Sequence, residues 1–203
     1  MGITPQQFEQ MKSRVSGKRR AATPVFADTH RPVTPVANAI ILGIDPSLRG
    51  TGFGVIRLAR PQPELVACGT IACPSGWEAS RCLVRISQTL RDVVKNTRPD
   101  VCVVEGLFFA QNLQTAILMG EARGAALAAV AEAGLEIYEI APRKVKQAIV
   151  GHGAAQKFAV AKMVQRLLRL ADLPEPDAAD ALALALAHAQ ANGRFSLSPP
   201  KRI

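Results

Sequence analysis

The chain has 203 residues, of which 48% are hydrophobic, and it carries a formal net charge of +9 at pH 7. This length suits one domain with flexible ends, and the apolar fraction is sufficient for a buried core. No apolar run is long enough to span a membrane and no signal peptide is evident, so we expect no membrane partner and a cytoplasmic location.

Both ends of the chain are basic. Residues 1–37 carry six Lys or Arg and two acidic residues, and residues 193–203 carry three Lys or Arg and no acid. Together with several prolines, this composition predicts a disordered arm over 1–37, a folded domain over 38–192 and a flexible tail over 193–203. The charge favours a polyanionic partner such as DNA. For the arm, a solvated tail is the simpler interpretation and a DNA-binding element is the alternative.

The first predicted elements are a β-hairpin, a further strand and a helix. The apolar run from Ala39 ends in Asp45 and Pro46, which indicates a buried strand that brings an acid to the edge of a sheet. The glycine-rich segment 51–58 predicts a second strand that pairs with the first. A strand over 65–73 and an amphipathic helix over 78–96 are expected to follow.

The second half of the chain alternates strands with helices. Residues 100–105 are too apolar for a half-exposed strand, so they predict a central strand that is covered on both faces and ends in Glu105. A hairpin followed by this alternation is typical of an α/β fold with a mixed β-sheet flanked by α-helices. The remaining predicted elements are a helix over 112–133, a strand over 135–140, and helices over 143–150, 156–170 and 176–191.

Four carboxylates are the candidate functional residues. Asp45 and Glu105 end two predicted strands, and ligands of open α/β sheets collect at such ends. Asp177 and Asp180 share one face of an Ala/Leu helix that is narrow enough to lie close to the sheet. Four clustered carboxylates would repel one another without a cation, and Mg²⁺ prefers oxygen ligands. The pattern predicts a two-metal phosphodiester hydrolase.

Five groups of short motifs follow one another along the chain. They are GIDP at 43–46 with TGFG at 51–54, VE at 104–105 followed by Phe108, GEARG at 120–124, VKQ at 145–147 with GHG at 151–153, and DAADALA at 177–183. Any one of the acids alone would be ordinary at a strand end or in a first helical turn. In order and spacing, however, the motifs resemble the RuvC family of Holliday junction resolvases, which are dimeric endonucleases with a ribonuclease H-like fold. The resemblance covers about residues 38–192.

The resemblance implies a role for each of seven residues. A junction-contacting aromatic falls on Phe108, and basic residues near the scissile strand fall on Lys146 and Lys157. The implied partners are four-way junction DNA, a second copy of the chain and a branch-migration helicase complex. The family's catalytic, metal-binding acids, which would hold two Mg²⁺ per subunit with Mn²⁺ as a substitute, fall on Asp45, Glu105, Asp177 and Asp180.

Two residues depart from the family pattern. Ser47 stands where glycine is usual, and Gly106 stands where glutamine is common. Neither departure removes a carboxylate, but we expect Ser47 to alter the turn and Gly106 to alter base or backbone contacts. His152 and His188 are left out of the predicted site, and His188 lies about 12 Å along its helix from Asp180 at 1.5 Å per residue.

Two other functions fit parts of the pattern. An actin- or hexokinase-like ATPase also has an acid before a Thr-Gly hairpin, but the chain is too short for two large lobes. A non-catalytic junction-binding protein would not need four carboxylates. We therefore predict a Mg²⁺-dependent, structure-selective endonuclease that places paired nicks in opposite strands of a four-way junction, in DNA recombination and repair. No motif indicates which DNA sequence it would cut.

Overall fold

The computed structural model describes residues 38–106, 113–191 and 201–203, so the predicted arm over 1–37 lies outside the described residues. Within these ranges the strands are β1 (Ile40–Asp45), β2 (Gly50–Arg57), β3 (Glu64–Ala72), β4 (Val101–Glu105), β5 (Glu136–Ile140) and β6 (Lys201–Arg202). The helices are α1 (Ala79–Thr97), α2 (Leu113–Glu132), α3 (Pro142–Val150), α4 (Lys157–Leu167) and α5 (Pro176–Ala191).

The strands form one mixed sheet in the order β3-β2-β1-β4-β5-β6. β1 and β2 form an antiparallel hairpin in which Asp45 pairs with Gly52. β4 runs parallel to β1, with Ile44 beside Val104, and β5 runs parallel to β4. The carboxyl ends of β1 and β4 therefore meet the start of β2 at one edge of the sheet. The predicted α/β architecture with a mixed sheet is confirmed.

Helices cover both faces of the sheet. One cluster of buried residues joins β4 to α3, α4 and α5, and it includes Val103 and Leu184. A second cluster joins the opposite face to α1 and α2, and it includes Val104, Ile86 and Val130. Successive residues of β4 thus enter different clusters, which is why the segment has no polar alternation.

Helix α5 lies directly on β1 and β2 because glycines leave room for its backbone. A Cβ atom on Gly43 would overlap the carbonyl oxygen of Ala181, and one on Gly52 would overlap the carbonyl oxygen of Asp177. The small alanines of α5 predicted this close approach. The glycines were interpreted only as part of the β1–β2 hairpin, and their contact with α5 was not predicted. Since the two backbones touch, the first turns of α5 lie over the edge where β1 ends.

Some observed elements differ from the predicted ones. The helix predicted over 156–170 ends at Leu167, because Leu168 leaves helical geometry and Arg169 has a φ of 51°. β6 was not predicted, since a strand of two residues shows no alternation, and it pairs Arg202 with Tyr138. No helix in the described ranges combines the length and apolar character needed to cross a membrane.

Candidate active site

Asp45 and Glu105 end neighbouring parallel strands and touch each other. Their carboxyl groups share a hydrogen bond. Burial, followed by the charges of Glu105 and Asp180, raises the pKa of Asp45 to about 8. The pKa of Glu105 is also raised, mainly by burial. Near neutral pH this pair therefore holds a proton when no cation compensates its charge.

The other two acids come from the first turns of α5. Asp180 is close enough to Asp45 and Glu105 to contribute to the raised pKa of each. Asp177 lies toward the hairpin, where its Oδ2 would be 2.7 Å from a Cβ atom on Gly50. Burial raises the pKa of Asp177, and the charge of Asp180 adds to the rise. The fold thus brings Asp45, Glu105 and Asp180 together, with Asp177 beside Asp180.

The two predicted lysines lie beside these carboxylates. Lys157 begins α4, and its Nζ donates a hydrogen bond to Asp180 Oδ2 at 2.6 Å. This hydrogen bond raises the pKa of Lys157. Lys146 on α3 is close enough for its charge to oppose the rise in the pKa of Glu105. The predicted aromatic, Phe108, lies outside the described residues.

The donor set suits a hard divalent cation. The carboxylates repel one another, and the proton on the Asp45–Glu105 pair and the ammonium of Lys157 compensate part of that charge. In the described ranges, no three Asp, Glu, His or Cys side chains converge on one point as a ready ion-binding group. The fit to a cation therefore rests on the chemistry of the donors and on their shared edge of the sheet.

Thr51, for which no structural role was predicted, closes the loop after Asp45. Its buried hydroxyl donates to the Ser47 carbonyl at 2.5 Å and accepts from the Ser47 N–H at 3.2 Å. A threonine at the start of a strand after a tight loop is the signal that would have identified this role.

The two residues that depart from the family pattern keep regular backbone contacts. Because the loop closure by Thr51 uses only the backbone of Ser47, serine in place of the usual glycine leaves the loop intact. The N–H of Gly106, which stands where glutamine is common, donates to the Ile140 carbonyl and continues the β4–β5 pairing.

Arg49 in the same loop was also missed. Its Nη1 lies 2.7 Å from the Pro74 carbonyl oxygen, 2.9 Å from that of Trp77 and 3.3 Å from Cys82 Sγ. The Cys73 N–H donates to the Arg49 carbonyl at 3.0 Å. These contacts attach the loop after Asp45 to the segment that leads into α1.

Within the described ranges, one histidine lies in the core and one in an exposed turn. His188 is buried, and its ring centre lies 4.9 Å from that of Tyr138. Burial lowers the pKa of His188 to about 4, so the ring is neutral at physiological pH. His152 lies in an exposed turn after α3. His188 is thus a core residue, which agrees with its exclusion from the predicted site.

The family model and the curated relatives that match this chain belong to one family. The family described as "Crossover junction endodeoxyribonuclease RuvC" matches residues 41–188. The RuvC protein of Bordetella parapertussis is 47% identical over 149 residues, which are 73% of this chain and 82% of that protein. The RuvC protein of Akkermansia muciniphila is 44% identical over 161 residues, which are 79% of this chain and 93% of that protein.

A solved structure of T. thermophilus RuvC in complex with a Holliday junction substrate is also similar. It has a TM-score of 0.74 and 34% sequence identity, and the match covers 81% of this chain and 99% of that chain. The strand order and this structural likeness confirm the predicted ribonuclease H-like fold.

Proposed function

The chain belongs to the RuvC family of crossover junction endodeoxyribonucleases, and from this premise we propose that four acids form its catalytic, metal-binding site. The protein is an endonuclease that resolves four-way DNA junctions in recombination and repair. One observation carries the assignment: the ends of β1 and β4 and the start of α5 meet at one sheet edge, and each brings acids there. The proposed residues are Asp45, Glu105, Asp177 and Asp180.

The family depends on divalent metal ions, and we propose two Mg²⁺ per subunit with Mn²⁺ as a substitute. Such ions, when bound, stabilise the charge on the attacking and leaving oxygens of an in-line displacement. Asp45 would lose the proton that it shares with Glu105 and ligate as a carboxylate. Asp180 would release Lys157, whose ammonium would then be available to the DNA backbone together with Lys146.

We propose that the protein works as a homodimer, because paired nicks in opposite strands need two active sites. Helix α2 exposes two large apolar side chains, with Leu113 78% exposed and Ile117 52% exposed. Gly120 and Gly124 on the same helix have open space beside them. A second α2 packed against this surface would bury these residues. We also propose that the protein acts with a branch-migration helicase complex and that it is located in the cytoplasm.

The direct test is cleavage of a labelled four-way junction. We expect products with Mg²⁺ or Mn²⁺, no products in EDTA, and little cleavage of a linear duplex of the same sequence. ATP hydrolysis measured on the same preparation tests the rival ATPase function. Junction binding without cleavage under any divalent ion would instead favour the non-catalytic binding protein.

Metal affinity should rise with pH. Burial and neighbouring acids raise the pKa of Asp45 to about 8, so below that pH an arriving ion must displace a proton. We expect the affinity for Mg²⁺ to rise by up to about tenfold per pH unit between about pH 6 and 8, and to level off above. Calorimetric titration in buffers of different ionisation enthalpy measures both affinity and proton release. An affinity that is constant over this range would mean that Asp45 is already ionised in the metal-free protein.

Phe108→Ala should slow the cleavage of fully paired junctions more than the cleavage of junctions with unpaired bases at the branch point. A base stacked on an aromatic side chain at an opened branch point contributes about 1–3 kcal/mol, and this substitution leaves the carboxylates intact. We expect slower cleavage of a fully paired junction and partial recovery when unpaired bases already open the branch. Asp45→Asn, the matched control, should show no such recovery. Parental cleavage of the paired junction by Phe108→Ala would rule out the stacking role.

A further inference from the structure

Three arginines converge on the segment between β3 and α1. Arg49 contacts the Trp77 carbonyl through Nη1, and the Arg81 guanidinium lies 3.9 Å from the centre of the Trp77 ring. Arg85 lies on the same face of α1 as Arg81, four residues further along, and the charges of Arg85 and Arg49 oppose the rise that burial causes in the pKa of the Cys73 thiol. We call the group formed by Arg49, Trp77, Arg81 and Arg85 the arginine platform.

The arginine platform and the carboxylates lie at the same edge of the sheet. β2 begins where β3 ends, with Gly50 opposite Ala72, so α1 starts at the same edge of the sheet as the end of β1. Arg49 immediately precedes Gly50, and the Asp177 carboxylate fills the space beside Gly50. A DNA strand that passes the carboxylates on this side would reach the arginine platform next.

The cations of the arginine platform are largely uncompensated. Arg81 and Arg85 are exposed, and within the described residues neither forms an ion pair with a carboxylate. Glu78 is the one acid between the end of β3 and Arg85. Other arginines of the described chain do pair with glutamates, namely Arg57, Arg91, Arg123 and Arg202.

We infer that the arginine platform is a second DNA-backbone site, which binds phosphates of the strand that leaves the carboxylates. This inference rests on the proposed function. Guanidinium groups match the geometry of phosphate oxygens, and stacking on Trp77 holds Arg81 in place before DNA arrives. The hydrogen bonds of Arg49 fix the platform to the loop after Asp45. The platform therefore fixes the position of the strand relative to the carboxylates without reading its sequence.

The test measures junction binding in EDTA over a range of salt concentrations. The plot of log affinity against log salt has a negative slope, which becomes less steep by about 0.9 for each phosphate contact that is lost. We therefore expect the slope to become less steep by about 0.9 for Arg81→Gln and by about 1.8 for Arg81→Gln with Arg85→Gln. Lys95→Gln is the matched control, because it removes the same charge from α1 about 21 Å from Arg81. Its slope should equal that of the parent protein.

Trp77 is the only tryptophan in the chain, so its fluorescence reports on the platform directly. We expect its emission to change with junction concentration, at the midpoint found by anisotropy of labelled DNA. Arg81→Lys keeps the charge and should keep the parental slope, while an unchanged melting temperature shows that each variant is folded. Parental slopes in both Gln variants, with no change in Trp77 emission, would overturn the inference.

Cleavage with Mg²⁺ on the same preparations separates this inference from the proposed function. A parent protein that cleaves junctions while the Gln variants bind like the parent would refute the platform alone. A parent protein that never cleaves, while the Gln variants lose salt dependence, would refute the proposed nuclease site and leave the DNA-binding role of the platform supported.

Discussion

Asp45→Asn should abolish junction cleavage while junction binding persists. The amide has nearly the shape of the carboxylate, but it cannot neutralise a bound cation. Charge stabilisation by such ions is worth several kcal/mol, and each 1.36 kcal/mol is a factor of ten in rate, so we expect a loss of at least about 1000-fold. Single-turnover cleavage of a labelled junction at saturating protein measures this loss, and anisotropy without divalent ions measures binding.

The control for this variant is its stability without divalent ions. The pKa of Asp45 is about 8 in the folded protein against an ordinary value of 3.8. The unfolded chain therefore releases this proton first, and the folded state loses stability as the pH rises from about 3.8 to about 8. Asn does not ionise, so the variant does not lose stability in this way and should melt at or above the parental temperature in EDTA. With Mg²⁺ the order should reverse, because only the parent gains the full stabilisation by the ions.

Two outcomes would contradict this account of Asp45. Cleavage at the parental rate would remove the residue from the mechanism. A large fall in the melting temperature of Asp45→Asn in EDTA would mean that unfolding, and not the loss of a carboxylate ligand for the metal ion, causes the loss of activity.

Gly52→Ala should damage the site without touching a carboxylate. The added Cβ atom would overlap the carbonyl oxygen of Asp177, which is backbone and cannot rotate away. Overpacking of this kind costs about 1–3 kcal/mol of stability. The first turn of α5 must shift, and a misplacement of about 1 Å at a catalytic group costs about 100-fold in rate. We therefore expect a lower melting temperature and slower cleavage with all four acids present.

Gly76→Ala is the matched control for this substitution. A Cβ atom on Gly76 meets nothing within 4 Å, so the same chemical change should alter stability by no more than about 0.5 kcal/mol. If Gly52→Ala behaves like Gly76→Ala in both stability and cleavage, then close packing of α5 on β2 does not position Asp177 and Asp180.

Strands β1 to β5, the helices and the position of the four acids at one edge of the sheet could be predicted because their signals are local. β1 and β4 are apolar runs that end in a single acid, and α5 opens with two acids three residues apart. The shared edge of the sheet followed from the parallel pairing of two such strands. The family resemblance then assigned roles to residues that would be ordinary one by one.

Other features could not be predicted because they depend on contacts between distant segments. Gly43 and Gly52 have their importance only against the backbone of α5. The hydrogen bond from Lys157 to Asp180 joins two helices whose packing no local pattern specifies. Arg49 lies in a short loop, and its contacts lie about 25 to 33 residues further along the chain. β6 has two residues, too few for a periodic signal.

The most direct test of the central claim uses a supercoiled plasmid that carries an extruded cruciform, which is a four-way junction. With Mg²⁺, a dimeric resolvase that places paired nicks should convert the plasmid to linear DNA, with the two cuts mapping to symmetric positions on opposite strands. Asp45→Asn should leave the plasmid supercoiled under the same conditions. Nicked circles without linear product, unpaired cut positions, or an uncut plasmid with the parent protein would contradict the claim that this carboxylate site resolves junctions by paired nicks.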